Sequence, residues 1–76
     1  MELKGTVKLV VDYIYNKILN GELALGEPIS EMKLAQELNI SRSPIREAIK
    51  VLEGEGILIH YSNRGTIVAD ITVKLS

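Results

Sequence analysis

The stretch LAQELNISRSPIREAIKVL, residues 34–52, restricts what this chain can fold into more than any other. Leu34, Ala35 and Leu38 recur at helical spacing, and Ile45, Ala48, Ile49 and Leu52 do so again at i, i+3, i+4 and i+7. Each set forms one apolar stripe of an amphipathic helix. Between the stripes, Asn39 is the non-glycine residue best suited to the left-handed conformation that ends a helix. Only Ile40 separates it from Ser41, a residue type that starts one. Ser30 is placed to cap the first of the two helices. Pro44 does not forbid the second, because N–H groups of a first turn have no partner inside the helix. Whether Ser41 or Ser43 is its cap stays open on sequence. The spacing therefore predicts helices over about 31–38 and 42–54 joined by a three- to four-residue turn, with Gly54 and Gly56 closing the second.

The flanks extend this unit. Val7, Val10, Val11, Ile14 and Ile18 mark an earlier amphipathic helix over about 7–20, with Thr6 as N-cap and Gly21 as the left-handed residue beyond its end. ELALGEPI (22–29) breaks the period and reads as turn punctuation. After Gly56 the period changes. ILIHY (57–61) and TIVADI (66–71) are rich in β-branched and aromatic residues, and SNRG (62–65) lies between them as a four-residue connection with Asn63 and Gly65 at positive φ. The order predicts an α+β, mainly α, winged helix-turn-helix: three helices followed by a β-hairpin wing, one domain over 1–76 with 72–76 as a tail. A domain of this length buries only about 60% of its unfolded surface, and an apolar content of 46% is enough for so small a core. With no cysteine, no disulfide or thiolate metal site is available. No apolar run reaches membrane-spanning length.

Charge is segregated along the chain. The net charge of −1 lacks the basic excess usual for nucleic-acid binding. Yet residues 20–40 carry Glu22, Glu27, Glu31 and Glu37 against Lys33, whereas 41–50 carry Arg42, Arg46 and Lys50 against Glu47. Projected at about 100° per residue, Arg42, Arg46 and Lys50 form a stripe roughly 70–150° from the centre of the apolar face. For a lone helix such a stripe is a solvated face. On the second helix of a helix-turn-helix it faces the major groove of DNA, where arginine donates two parallel hydrogen bonds to guanine O6 and N7. The hydroxyls of Ser41 and Ser43 suit phosphate oxygens. Asn63, Arg64 and Gly65 make a hairpin turn that also brings a cation to the wing tip, and Lys33 is either surface or a further contact. His60, the only histidine, reads as an exposed strand residue. Tyr13 and Tyr15 read as core cover. No nucleophile–base set and no glycine-rich phosphate loop is present, so no enzyme, cofactor or metal is expected. The competing reading is a winged-helix protein-interaction module, which the net charge favours.

Three segments in order, ILNGELALGEPISE (18–31), LAQELNISRSPIREAIKVLEGEGIL (34–58) and NRGTIV (63–68), resemble the N-terminal DNA-binding domain of the GntR family of bacterial transcription regulators, most closely its FadR-like branch. The resemblance runs from about 14 to 68, and SRSPIREA (41–48) matches the family's signature run. It implies that Arg42 and Arg46 lie in or beside the major groove, that Ser41 and Ser43 anchor to phosphate, and that the Asn63-Arg64-Gly65 tip approaches the minor groove. It places Ser30 close to the DNA backbone, and Glu47 as the carboxylate that orients a neighbouring basic side chain. Met32 stands where many relatives carry arginine, a role left to Lys33. It further implies double-stranded operator DNA as partner, with a GT…AC core. A C-terminal domain outside these 76 residues would bind a small effector and supply the interface of a homodimer, and regulation would be cytoplasmic and more often repressing. A stand-alone domain is the alternative.

Overall fold

Val7, Val10 and Ile14 fall on one side of a 3.6-residue helix, and their burial sets the first element. A computed structural model describes residues 5–70. Its elements are α1 (Gly5–Leu19), α2 (Glu31–Leu38), α3 (Arg42–Gly54), β1 (Leu58–Tyr61) and β2 (Gly65–Val68). Helix α1 already includes Gly5, so Thr6 lies inside it rather than capping it. At the other end Gly21 takes φ +80. The Glu22 N–H then donates to the Lys17 carbonyl at 2.9 Å and the Gly21 N–H to the Ile18 carbonyl at 3.1 Å, a Schellman closure. Tyr15 is one residue past Ile14, about 100° further round the helix, and is 44% exposed. The expectation that it covers the core therefore fails, whereas Tyr13 packs half-buried against the core and donates from its hydroxyl to Glu37 at 3.0 Å.

The turn between α2 and α3 follows the spacing. The Ser30 side chain accepts from the Lys33 N–H, and Asn39 sits at φ 56, ψ 49, the left-handed conformation. Ser41 occupies the cap position of α3 without a side-chain cap hydrogen bond, and Ser43 lies within the helix. Helix α3 packs on both α1 and α2. Val7, Val10, Ile14, Leu34, Ile45, Ala48, Ile49, Leu52, Leu58 and Val68 form a single core cluster, and none of the described residues buries a polar or charged side chain.

The wing pairs Leu58 with Val68, Ile59 with Ile67, His60 with Thr66 and Tyr61 with Gly65, antiparallel. Its connection is three residues long rather than four. Gly65 at φ +76 pairs with Tyr61, and the Arg64 N–H donates to the Tyr61 carbonyl at 3.2 Å, a turn followed by a left-handed glycine. Gly65 alone needs the left-handed region; Asn63 does not adopt it. Strand β2 ends at Val68, short of the expected 66–71, and Ile71 and the tail 72–76 lie outside the described residues. The far side of β2 is occupied by 26–29. Gly26 donates to Val68, Val68 to Glu27 and Ile29 to Thr66 at 2.8–2.9 Å, and Pro28 bridges Ile67. The segment expected only to turn also clamps the wing to the start of α2. Among the described residues no helix is long and apolar enough to cross a membrane.

Candidate nucleic-acid interface

Burial of Ile45, Ala48, Ile49 and Leu52 fixes the rotation of α3 about its own axis. Arg42, Arg46 and Lys50 are thereby left on the exposed side as one cationic stripe. Arg46 does not hang free. Its Nε donates to Oε1 of Glu31 at 3.2 Å, with the arginine side chain 63% and the glutamate 33% exposed. Glu31 is the first residue of α2, directly after the Ser30 cap. The anchor of α2 is thus relayed to the guanidinium of α3. Because the contact uses Nε, the terminal amino groups keep their donors for a planar acceptor pair.

This corrects the expectation for Glu47. Glu47 is exposed and has no ion pair among the described residues, and the carboxylate paired with a basic side chain of α3 is that of Glu31. Glu31 is not legible in the sequence as a partner of Arg46, because it lies 15 positions away and belongs to no shared period.

The wing closes one side of a trough against α2 and α3. Two adjoining hollows make it up. One, of about 360 Å³, is lined by Ser30, Met32, Arg42 and Gly65 among others. The other, of about 260 Å³, is lined by Arg46, Lys50 and Glu53. Both share Glu31, Ile49, His60 and Thr66. Of the residues singled out from sequence, Ser30, Arg42, Arg46 and Gly65 are brought to this trough. Asn63 and Arg64 stand exposed at the wing tip, and Ser41 and Ser43 are exposed at the start of α3. Met32, 56% exposed, faces the trough, whereas Lys33 lines a groove on the α1 side with Lys17, Glu22, Glu27 and Glu37. Lys33 thus does not take the place of Met32 in the trough. No group of acidic, histidine or cysteine side chains able to hold a metal ion occurs among the described residues.

A helix-turn-helix whose second helix is cationic is a recurrent DNA-reading arrangement, and here a β-hairpin wing flanks it. The model of bacterial regulatory proteins of the gntR family matches residues 6–68. This chain belongs to the GntR family. Over 58 residues this GntR-family domain is 45% identical to the gluconate operon transcriptional repressor of Bacillus licheniformis, covering 76% of this chain and 24% of that protein. Over 69 residues it is 36% identical to the Glc operon transcriptional activator of Escherichia coli K12, covering 90% and 27%. Among solved structures it is similar to the DNA-binding domain of AraR in complex with operator ORR3. The TM-score there is 0.78 at 30% identity, over 90% of this chain and 83% of that one. The chain spans about a quarter of the length of the curated relatives it matches.

Proposed function

We propose that residues 1–76 form the sequence-specific, DNA-reading domain of a longer, metabolite-responsive bacterial transcription regulator. The observation that carries this is the exposed Arg42–Arg46–Lys50 stripe, fixed by the buried face of α3 and steadied by Glu31, on a domain of this family. Helix α3 enters the major groove with Arg46 on guanine and Arg42 beside it. Ser41 and Ser43 take phosphates, with Ser30 near the backbone, and the Asn63-Arg64-Gly65 tip approaches the minor groove. The FadR-like operator core GT…AC supplies a guanine for that contact. In the intact protein two copies sit on a two-fold-related operator in the cytoplasm, on the nucleoid, and an effector acts through the C-terminal domain. Relatives include a repressor and an activator, and repression is the direction we assign here.

Titration of the 76-residue domain against a duplex selected from a random-sequence pool, at two salt concentrations, tests the reading. Weak binding that falls steeply with salt is expected, because each neutralised phosphate releases counterions. Affinity independent of salt, or none at low salt, overturns it. A protein-interaction module is the second reading, favoured by the net charge of −1 and by the carboxylates of Glu22, Glu27 and Glu37 around one groove. Arg46→Ala leaves such a module unaffected.

A further inference from the structure

The trough between α3 and the wing contains a polar chain that the contacts above leave unused. His60 stands exposed on β1, and its Nδ1 lies 3.2 Å from Oγ1 of its cross-strand partner Thr66. The Thr66 hydroxyl donates in turn to Oε2 of Glu53 on α3, also at 3.2 Å. A hydroxyl has one proton to give. Glu53 takes it, so Thr66 presents a lone pair to His60 and Nδ1 carries the hydrogen. In the neutral ring Nε2 is then a bare acceptor; in the imidazolium it is a second donor.

A helix in the major groove and a wing tip at the adjacent minor groove must straddle the phosphate strand between those grooves. Under the DNA-reading assignment that strand runs over the trough that His60 lines. We propose that His60 is a phosphate-contacting residue of the interface, protonated in the complex, with Nε2–H on a phosphate oxygen while Thr66 and Glu53 hold Nδ1–H; this rests on the DNA-reading assignment above. Charged groups of α2 and α3 line the trough around the ring. Glu53 of α3 and Glu31 of α2 bring negative charge to this lining, and Arg42, Arg46 and Lys50 of α3 bring positive charge. Besides the ring itself, the wing adds only Thr66 and Gly65 to the lining, neither of them charged. A phosphate oxygen arriving at Nε2 brings a negative charge into direct contact with the ring and so favours the cation in the complex.

The test compares the wild-type domain with His60→Gln, a neutral side chain of similar reach. Binding to the selected duplex is read by fluorescence anisotropy at pH 6 and pH 8, each at two salt concentrations. Wild-type affinity is expected to fall by up to about tenfold from pH 6 to pH 8, the effect of roughly one unit of upward shift on binding. The salt slope should be steeper at pH 6 by about 0.9, one phosphate contact. His60→Gln should show equal affinities and equal slopes at both pH values, because no other histidine exists in the chain. A wild-type affinity that does not change with pH, or a pH dependence that survives His60→Gln, overturns the proposal. Arg46→Ala run alongside separates the two readings. Loss of affinity in Arg46→Ala with a flat wild-type pH profile sinks the His60 contact alone, whereas an unaffected Arg46→Ala sinks the DNA-reading assignment and the contact with it.

Discussion

Replacing Glu31 by Gln removes the carboxylate charge that holds the Arg46 guanidinium and leaves the side chain nearly the same shape. The pair is 3.2 Å long and well exposed on the arginine side, so its contribution to folding is of the order of 0.2–1 kcal/mol. Glu31 is also the acidic residue in the first turn of α2, where its charge contributes about 0.3–1 kcal/mol more through the helix dipole. Together they lower stability by roughly 1 kcal/mol, and a domain of this size holds about 4–11 kcal/mol, so the variant stays folded. The effect on DNA binding takes a different form. An arginine no longer held must be ordered on the base, at about 0.5–1.5 kcal/mol for a rotamer-rich side chain, a two- to twelve-fold weakening on the preferred site. Against this, a phosphate at about 8 Å no longer meets a negative charge, a gain of roughly 0.5 kcal/mol in water and less at physiological salt. That gain is the same on every sequence. Anisotropy titrations of wild type and Glu31→Gln against the selected duplex and a scrambled one, at one salt concentration, separate the two terms. The selected duplex should lose affinity while the scrambled one holds or gains slightly. An equal change on both duplexes refutes the positioning role of Glu31.

Further predictions concern the core and the wing. Leu52→Ala empties a fully buried site where α3 faces the core and should cost about 2–5 kcal/mol in urea unfolding, enough to leave the domain partly unfolded at 37 °C. Arg64→Ala at the exposed wing tip should weaken binding alike on all duplexes and reduce the salt slope by about one, measured by titration across a salt series.

What the sequence made legible follows from which constraints are local. The three apolar stripes set the three helices, and the one-residue spacing between Asn39 and Ser41 forced a left-handed Asn39 that the structure reproduces at φ 56. The change of period after Gly56 located the wing. Its connection came out one residue shorter because Gly65, placed in the turn, instead pairs with Tyr61. The pairing of 26–29 with β2 was hidden for a physical reason. Its backbone bonds come from a short segment holding Gly26 and Pro28, which carries no period-two pattern. Glu31–Arg46 and Glu53–Thr66–His60 were hidden likewise. They join residues 15 and 13 positions apart, and only the angle between α2 and α3 and the seat of the wing decide which polar groups meet. Arg42 and Arg46 themselves were visible, because their place opposite a buried stripe depends on one helix alone.

The most direct test of a base-reading α3 is a selection from a random-sequence pool, carried out in parallel with the wild-type domain and with Arg46→Ala and read by sequencing. A wild-type preference that includes guanine is expected and, in Arg46→Ala, loss of preference at one base position with a cost there of about 1–3 kcal/mol while the other positions keep theirs. Identical preferences from the two proteins, or no preference from the wild type, would contradict it.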